Sequence, residues 1–151
     1  PSIGEFLLTH KSVRIPEKPK QIVSVNFGNM ASFSPGIRKY VSECLEGRGE
    51  GEEKTKPYSA RYVGSMIADV HRTLLYGGIF LYPATGSNPD GKLRLLYEAN
   101  PMALIMEAAG GMASTGKGRI LDVAPSHIHQ RIPVILGCTR DVERCLQCIR
   151  E

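Results

Sequence analysis

The sequence contains no tryptophan, and aromatic residues make up only 7% of it. No apolar stretch approaches the ~20 residues that cross a bilayer, so we expect no membrane contact. No basic segment followed by an apolar stretch opens the chain, which argues against a signal peptide. Neither common glycine-rich nucleotide-binding motif occurs. The chain begins with proline rather than methionine, and we therefore expect it to be a piece of a longer polypeptide.

Cysteine is also scarce, with four residues at positions 44, 138, 145 and 148. Cys145 and Cys148 form a C-x-x-C pair, but no second pair follows at zinc-finger spacing. An even cysteine count does not by itself indicate a disulfide scaffold in a chain of this length. We therefore expect reduced thiols.

Lysine and arginine outnumber the acidic residues by 19 to 15, which gives a net charge of +4. This modest excess favours anionic ligands. The basic residues are scattered, whereas a nucleic-acid surface normally gathers them beside exposed aromatic residues. We therefore expect no nucleic-acid partner.

Strand-like and helix-like segments alternate along the 151 residues, which predicts one α/β domain over residues 1–151. Their irregular order favours a mixed sheet with helices packed on it over a purely parallel sheet. The polar segment 46–57 predicts a surface loop. Helices are predicted to begin at Ser34, Ser59, Asn100 and Thr139. Strands are predicted over residues 3–8, 12–15, 21–26, 79–83, 112–114, 120–123 and 133–137.

The segment from 91 to 111 carries the most chemical information. A strand is predicted over residues 92–98, and alternation would place Lys92, Arg94 and Glu98 on one face. Carboxylate oxygens suit hard divalent cations, so Glu98 is a candidate metal ligand; the alternative is an acid that interacts with a helix dipole. Lys92 and Arg94 could bind a phosphate or form the solvated face of an edge strand.

Two further positions could contact phosphate oxygens. Arg61 and Tyr62 are predicted to lie in the first turn of the helix that begins at Ser59, and Tyr82 ends a strand. Tyrosines at the ends of elements more often serve as amphipathic packing residues, so this signal is weak by itself.

Two long segments, PYSARYVGSMIADVHRTLLYGGIFLYPA (57–84) and GKLRLLYEANPMALIMEAAGGMASTGK (91–117), closely resemble the fructose-1,6-bisphosphatase family. The opening PSIGEF and the later HIHQRIPVILG resemble it as well. The resemblance covers nearly the whole chain but only the C-terminal half of the family's subunit. It implies a layered sugar-phosphatase-type fold.

The resemblance also implies an activity. The family hydrolyses the 1-phosphate of fructose 1,6-bisphosphate to give fructose 6-phosphate in gluconeogenesis, with Mg²⁺, Mn²⁺ or Zn²⁺. A cytoplasmic homo-oligomer, a tetramer in the family, is implied too. The family's Asp-Pro-Leu-Asp-Gly-Ser metal motif and its AMP site lie in the N-terminal half, which we expect to be a required partner.

Roles for individual residues follow from the same resemblance. Glu98 matches a metal-binding glutamate, and no catalytic residue is assigned with certainty in this half. Arg61 matches an arginine that reaches the phosphate site of a neighbouring subunit, and Asn29 stands where the family often has a tyrosine. The remaining matches to the substrate-binding pocket are Asn26, Tyr62, Met66, Tyr82, Lys92 and Arg94.

These matches predict one pocket, in which alternate residues from 92 to 98 meet the hydroxyl groups of Tyr62 and Tyr82. Three alternatives remain open at this point. They are a related enzyme such as sedoheptulose bisphosphatase or an inositol-phosphatase relative, a non-catalytic phosphate-binding module, and a nucleic-acid binder.

Overall fold

A computed structural model describes residues 4–49 and 55–151. Residue 3 of the first predicted strand and residues 50–54 of the predicted surface loop lie outside this part. The helices are α1 (Pro35–Glu46), α2 (Met66–Tyr76), α3 (Asn100–Ala108) and α4 (Thr139–Arg150). The strands are β1 (Ile22–Ser24), β2 (Ser59–Ala60), β3 (Ile79–Tyr82), β4 (Leu93–Arg94), β5 (Met112–Ser114), β6 (Arg131–Ile132) and β7 (Val134–Gly137).

The main sheet has the strand order β2-β1-β3-β7-β5. The pairs β1–β2 and β1–β3 are parallel, whereas β7 is antiparallel to both β3 and β5. Strands β4 and β6 form a separate antiparallel pair. The predicted mixed α/β architecture is therefore confirmed.

The sheet is covered on both faces, since alternate residues of its central strands enter two different hydrophobic clusters. Ile79 and Leu81 of β3 pack with α1 and α4, whereas Phe80 packs with α2 and α3 on the opposite face. The same division separates Ile135 of β7 from its neighbours Val134 and Leu136. Period-two side-chain alternation thus produces three layers, helix, sheet and helix.

Local signals explain where α1 begins and where α2 ends. The Ser34 hydroxyl accepts the backbone N–H of Ile37, and Pro35 occupies the first turn, as predicted for this helix start. Gly77 ends α2, and its N–H donates to the Thr73 carbonyl. Gly78 has φ +91°, and a Cβ there would lie 2.3 Å from the Ile22 carbonyl oxygen, so only glycine fits beside β1.

Several predicted elements are wrong. Residues 4–8 and 12–15 form no strand, and within the described ranges no strand pairs with them. The Ile15 N–H donates instead to the Ala109 carbonyl at the end of α3. Residues 120–122 form a 3₁₀ turn rather than a strand. The final helix begins at Thr139 as predicted, but its N-cap is Cys138.

All four cysteines are buried and unbonded to one another, as predicted. No helix in the described part of the chain is long and apolar enough to cross a membrane.

Candidate functional site

The site begins at one edge of the sheet, where the three parallel strands β1, β2 and β3 all end. Asn26 lies two residues beyond β1, Arg61 and Tyr62 follow β2 directly, and Tyr82 is the last residue of β3. The carboxyl ends of parallel strands meet at the same edge of a sheet, and α/β proteins commonly bind ligands there. Topology therefore gathers residues that are up to 56 positions apart in the sequence.

A 3₁₀ turn, Phe27–Ser32, follows β1; Asn26 is its N-cap, and Asn29 lies within it. The Asn26 side-chain oxygen accepts the Gly28 N–H at 3.0 Å, and the Asn29 N–H donates to the Asn26 carbonyl. Both asparagines line a small cavity together with Tyr82. The cavity volume of about 10 Å³ would hold no more than one water.

Tyr62, Met66 and Tyr82 are half-buried and pack on the same hydrophobic cluster. Burial raises the pKa of the Tyr62 hydroxyl, and the nearby Tyr82 and Asp69 add to this effect. The phenol therefore stays neutral at physiological pH and keeps a proton to donate. A pair of neighbouring tyrosines of this kind suits phosphate or sugar oxygens.

The prediction that Arg61 and Tyr62 begin a helix is wrong, because α2 starts at Met66. The segment between β2 and α2 is held by Asp69, whose side chain is fully buried. Its carboxylate accepts the backbone N–H groups of Val63 and Gly64 at 3.1–3.2 Å. A carboxylate within α2 thus satisfies the backbone of the segment that precedes the helix.

Arg72 completes this support. Its Nη2 atom donates to Asp69 at 2.6 Å, to the Arg61 carbonyl at 2.9 Å and to the Ser24 hydroxyl at 3.0 Å. One guanidinium therefore joins β1, the segment after β2 and α2. Asp69 and Arg72 are positioning residues that the sequence reasoning missed; the available signal was an acid and an arginine three residues apart on a helix.

The Arg61 side chain lies apart from the asparagines and Tyr82. It is exposed, and its guanidinium donates to the Ala60 carbonyl at 2.9 Å. It lines a wide basic groove whose other cationic residues are Lys18, Lys20, Lys56, Arg72 and Arg140. Within this chain, Arg61 therefore does not face the cavity that Asn26 lines.

The strand predicted over residues 92–98 is wrong beyond Arg94. β4 ends there, and Leu95–Ala99 form a π-helical turn that continues directly into α3. The α-helix starts at Asn100 as predicted, but a π-helical turn already precedes it, so strand alternation does not align residues 92 to 98. Arg94 and Glu98 still meet, because Arg94 is the N-cap of the turn and Glu98 lies in its first turn.

Glu98 acts as a cap in this arrangement. Its Oε2 atom accepts the Arg94 backbone N–H at 2.6 Å and lies 3.6 Å from the Arg94 guanidinium. Lys92 is exposed beside this turn, and its neighbour Leu93 is buried in the cluster that supports Tyr62 and Tyr82. Lys92 and the two tyrosines are thus connected through the apolar cluster that contains Leu93. A pocket shared by Lys92, Tyr62 and Tyr82 stays a prediction.

A divalent metal does not fit these residues by themselves. In the part of the chain that the structure describes, no three acidic, histidine or cysteine side chains converge. Glu98 offers one carboxylate, which already accepts the Arg94 N–H. Hard cations such as Mg²⁺ need several oxygen ligands, so Glu98 can provide at most one of them.

The chain is similar to known proteins over most of its length. A family model described as "Fructose-1-6-bisphosphatase, C-terminal domain" matches residues 15–150. The chain is 54% identical to fructose-1,6-bisphosphatase 1 of Rattus norvegicus over 97% of its own length and 39% of that protein. It is 53% identical to fructose-1,6-bisphosphatase isozyme 2 of Mus musculus, with coverages of 99% and 43%.

A bacterial relative extends this similarity. Fructose-1,6-bisphosphatase class 1 of Chloroherpeton thalassium is 52% identical over 95% of the chain and 40% of that protein. The chain thus spans about two fifths of the length of the curated relatives that it matches.

Proposed function

Because the chain belongs to the fructose-1,6-bisphosphatase family, we propose that it supplies the substrate-binding part of a phosphatase that hydrolyses fructose 1,6-bisphosphate. The product would be fructose 6-phosphate, formed in gluconeogenesis. The observation that carries the proposal is the grouping of Asn26, Asn29 and Tyr82 around one cavity at the carboxyl edge of the parallel strands, with Tyr62 beside Tyr82.

The proposed task of this part is to hold the phosphate that does not react. Neutral phenols and amides donate hydrogen bonds to phosphate oxygens without carrying charge, and the exposed Lys92 adds a cation at the border of the site. Binding energy from a remote group fixes the geometry of the reacting group and lowers the barrier. Met66 would give the sugar an apolar contact, and Arg94 would orient Glu98.

The proposed cofactor is Mg²⁺, with Mn²⁺ or Zn²⁺ as substitutes, and Glu98 would contribute a single ligand. A metal in such an enzyme polarises the phosphoryl group and activates a water. The remaining ligands would come from the other part of a family subunit, which is the proposed partner. No reaction step is assigned to the residues of this chain.

We further propose a cytoplasmic homo-oligomer, a tetramer as in the family. Arg61 is directed into a basic groove rather than toward Asn26, which supports the idea that its guanidinium serves the phosphate site of a second subunit. The substrate-binding domain would comprise residues 1–151.

Calorimetric titration of the chain with fructose 6-phosphate tests the proposed site. We expect saturable binding that Tyr82→Phe weakens, since one hydroxyl donor is lost. Tyr76→Phe is the matched control, because Tyr76 is exposed on α2 and lies beside Lys20 rather than at this site. Equal loss in both variants, or no heat with wild-type chain, would argue against the site.

A further inference from the structure

A second concave surface lies beside the proposed substrate site. It is a groove with a volume of about 340 Å³, in the range of roughly 300–1,000 Å³ that is typical of small-molecule sites. Its apolar lining includes Ile37 of α1, Ile132 and Ile135 of β6 and β7, and Ile149 of α4. We call it the isoleucine groove.

The floor of the groove is preformed. Ile37, Ile132 and Ile135 are almost fully buried in the two core clusters, so their positions are fixed by packing on both sides of the sheet. Gly116 lies over Ile135 and Ile149, with its ideal Cβ position 3.7 Å from each side-chain end. An apolar ligand would therefore meet a rigid surface and would lose little free energy in ordering it.

One wall of the groove is a tight turn that carries Lys117. The Thr115 N–H and the Ser114 hydroxyl both donate to the Gly118 carbonyl, and the Thr115 hydroxyl accepts the N–H groups of Lys117 and Gly118. These bonds fix the turn at the border of the groove. Lys117 is exposed, and in the described residues its ammonium has no ion-pair partner.

The groove lining contains two further charged residues, Asp90 and Arg131. Both also line an adjoining cavity with His127 and His129. A carboxylate and a guanidinium together offer an acceptor and donors with little net charge. The groove lining thus carries two cations, Lys117 and Arg131, and one carboxylate, Asp90, and this positive balance favours an anionic group on the ligand.

We propose that the isoleucine groove binds a small apolar carboxylic acid, distinct from the sugar phosphate. Its carboxylate pairs with Lys117, and its apolar body covers Ile135 and Ile149. Pro83 lines both this groove and the cavity of Asn26 and Tyr82, so the two sites are neighbours in the fold.

Cinnamate and cinnamamide are suitable probes, since they share one shape and differ in charge. Titrations of the chain followed by backbone amide chemical shifts locate each probe. We expect cinnamate to bind more tightly than the neutral amide and to shift the signals of residues 115–117, 132 and 135. Inorganic phosphate, an anion without an apolar body, should leave those signals in place.

Two variants separate the charge from the apolar floor. Lys117→Gln should lower the affinity for cinnamate about two- to fivefold, as expected for loss of one exposed ion pair. The affinity for cinnamamide should stay unchanged. Ile149→Ala should lower the affinities for both probes about threefold or more, because apolar contact area is lost. Arg140→Gln, at an exposed arginine outside the groove, is the control and should change neither affinity.

Three results would overturn the proposal: equal affinity of the two probes, unchanged cinnamate binding in Lys117→Gln, or shifts centred on Leu104 and Ile105 of α3. Addition of saturating fructose 6-phosphate should leave the cinnamate-dependent shifts of residues 115–117 present. Failure of the sugar phosphate itself to bind would concern the substrate site and not this groove.

Discussion

The carboxylate of Asp69 and the guanidinium of Arg72 lie 2.6 Å apart within one turn of α2, and the Asp69 side chain is fully buried. The pair joins three separate parts of the chain, because Arg72 also contacts Ser24 on β1 and the Arg61 carbonyl after β2. The segment that carries Arg61 and Tyr62 therefore depends on a charge pair outside it.

Asp69→Ala should destabilise the fold by about 3–5 kcal/mol, since it leaves two backbone N–H groups and a partly buried guanidinium without their acceptor. Urea unfolding measures this change in the free energy of unfolding. Asp122→Ala is the control, because the Asp122–Arg119 pair is exposed and should contribute no more than about 1 kcal/mol. Similar losses in both variants would contradict the structural role of Asp69.

Glu98 offers a test that separates capping from charge. Glu98→Ala removes the acceptor of the Arg94 N–H and should cost about 0.5–2 kcal/mol, the usual range for loss of a helix cap. Glu98→Gln keeps an acceptor oxygen and should cost less. Glu143→Ala, at an exposed position on α4, should have almost no effect on the urea midpoint.

If Glu98→Gln were as destabilising as Glu98→Ala, the charge rather than the hydrogen bond would be the important contribution. Glu98→Gln also tests the proposed metal ligand, since glutamine keeps the capping oxygen and the fold but removes the carboxylate that would bind the metal.

Asp141 should make stability depend on pH. It is buried on α4, where its carboxylate accepts the Tyr58 hydroxyl at 2.7 Å and lies 3.8 Å from Arg140. Burial raises the pKa of its carboxyl above the ordinary value of 3.8, although the Tyr58 bond and Arg140 oppose this. The folded state then holds a proton that the unfolded chain has lost.

The Asp141 contribution to stability is therefore full below pH 3.8 and decreases as the pH rises through the folded-state pKa. Asp141→Asn keeps an acceptor for Tyr58 and removes the titration. We expect the variant to gain stability relative to wild type as pH increases, measured as the difference in urea midpoints from acidic to neutral pH. A constant difference across that interval would show that burial does not raise this pKa.

Sequence patterns were sufficient to predict a helix or strand where nearby residues alone determine the local conformation. The helix start predicted at Ser34 is confirmed in α1, because an N-cap is a local feature. The apolar run at 133–137 likewise predicted β7. These elements need no knowledge of distant partners.

Secondary-structure prediction failed where contacts with distant parts of the chain determine the local conformation. The apolar stripe after Ser59 suggested a long helix, but the first residues of that segment pair with β1 and leave only the part from Met66 to form α2. Residues 95–99 contain no breaker, so nothing local distinguishes a strand from a helical turn there. The meeting of Asn26 with Tyr82 depends on parallel pairing and could be inferred only through the family resemblance.

Phosphate release provides a direct functional test. The described residues bring together no set of metal ligands, so the 151-residue chain alone should release no phosphate from fructose 1,6-bisphosphate in the presence of Mg²⁺. A colorimetric phosphate assay measures this, with the rat relative as the positive control. Magnesium-dependent release by the chain would show that it contains a complete metal site.

The chain should self-associate through α3. Leu104 and Ile105 are 61% and 46% exposed, next to exposed Leu96 and Tyr97 of the preceding turn. Large apolar side chains that are exposed on one helix and the turn before it favour association. Replacing both Leu104 and Ile105 with lysine should lower the average mass measured by light scattering, whereas Gln147→Lys on α4 should leave it unchanged. Equal average masses for wild type and both variants would show that the chain does not associate through this surface of α3.

The position of β7 has a consequence for synthesis on the ribosome. This strand lies between β3 and β5, yet it is the last of the strands in the sequence. Until residues 134–137 leave the exit tunnel, β3 and β5 have no common neighbour, and each presents an open edge to other nascent chains. Completion of the sheet is therefore a late event, and a ribosome that stalls before β7 would release a chain prone to aggregate.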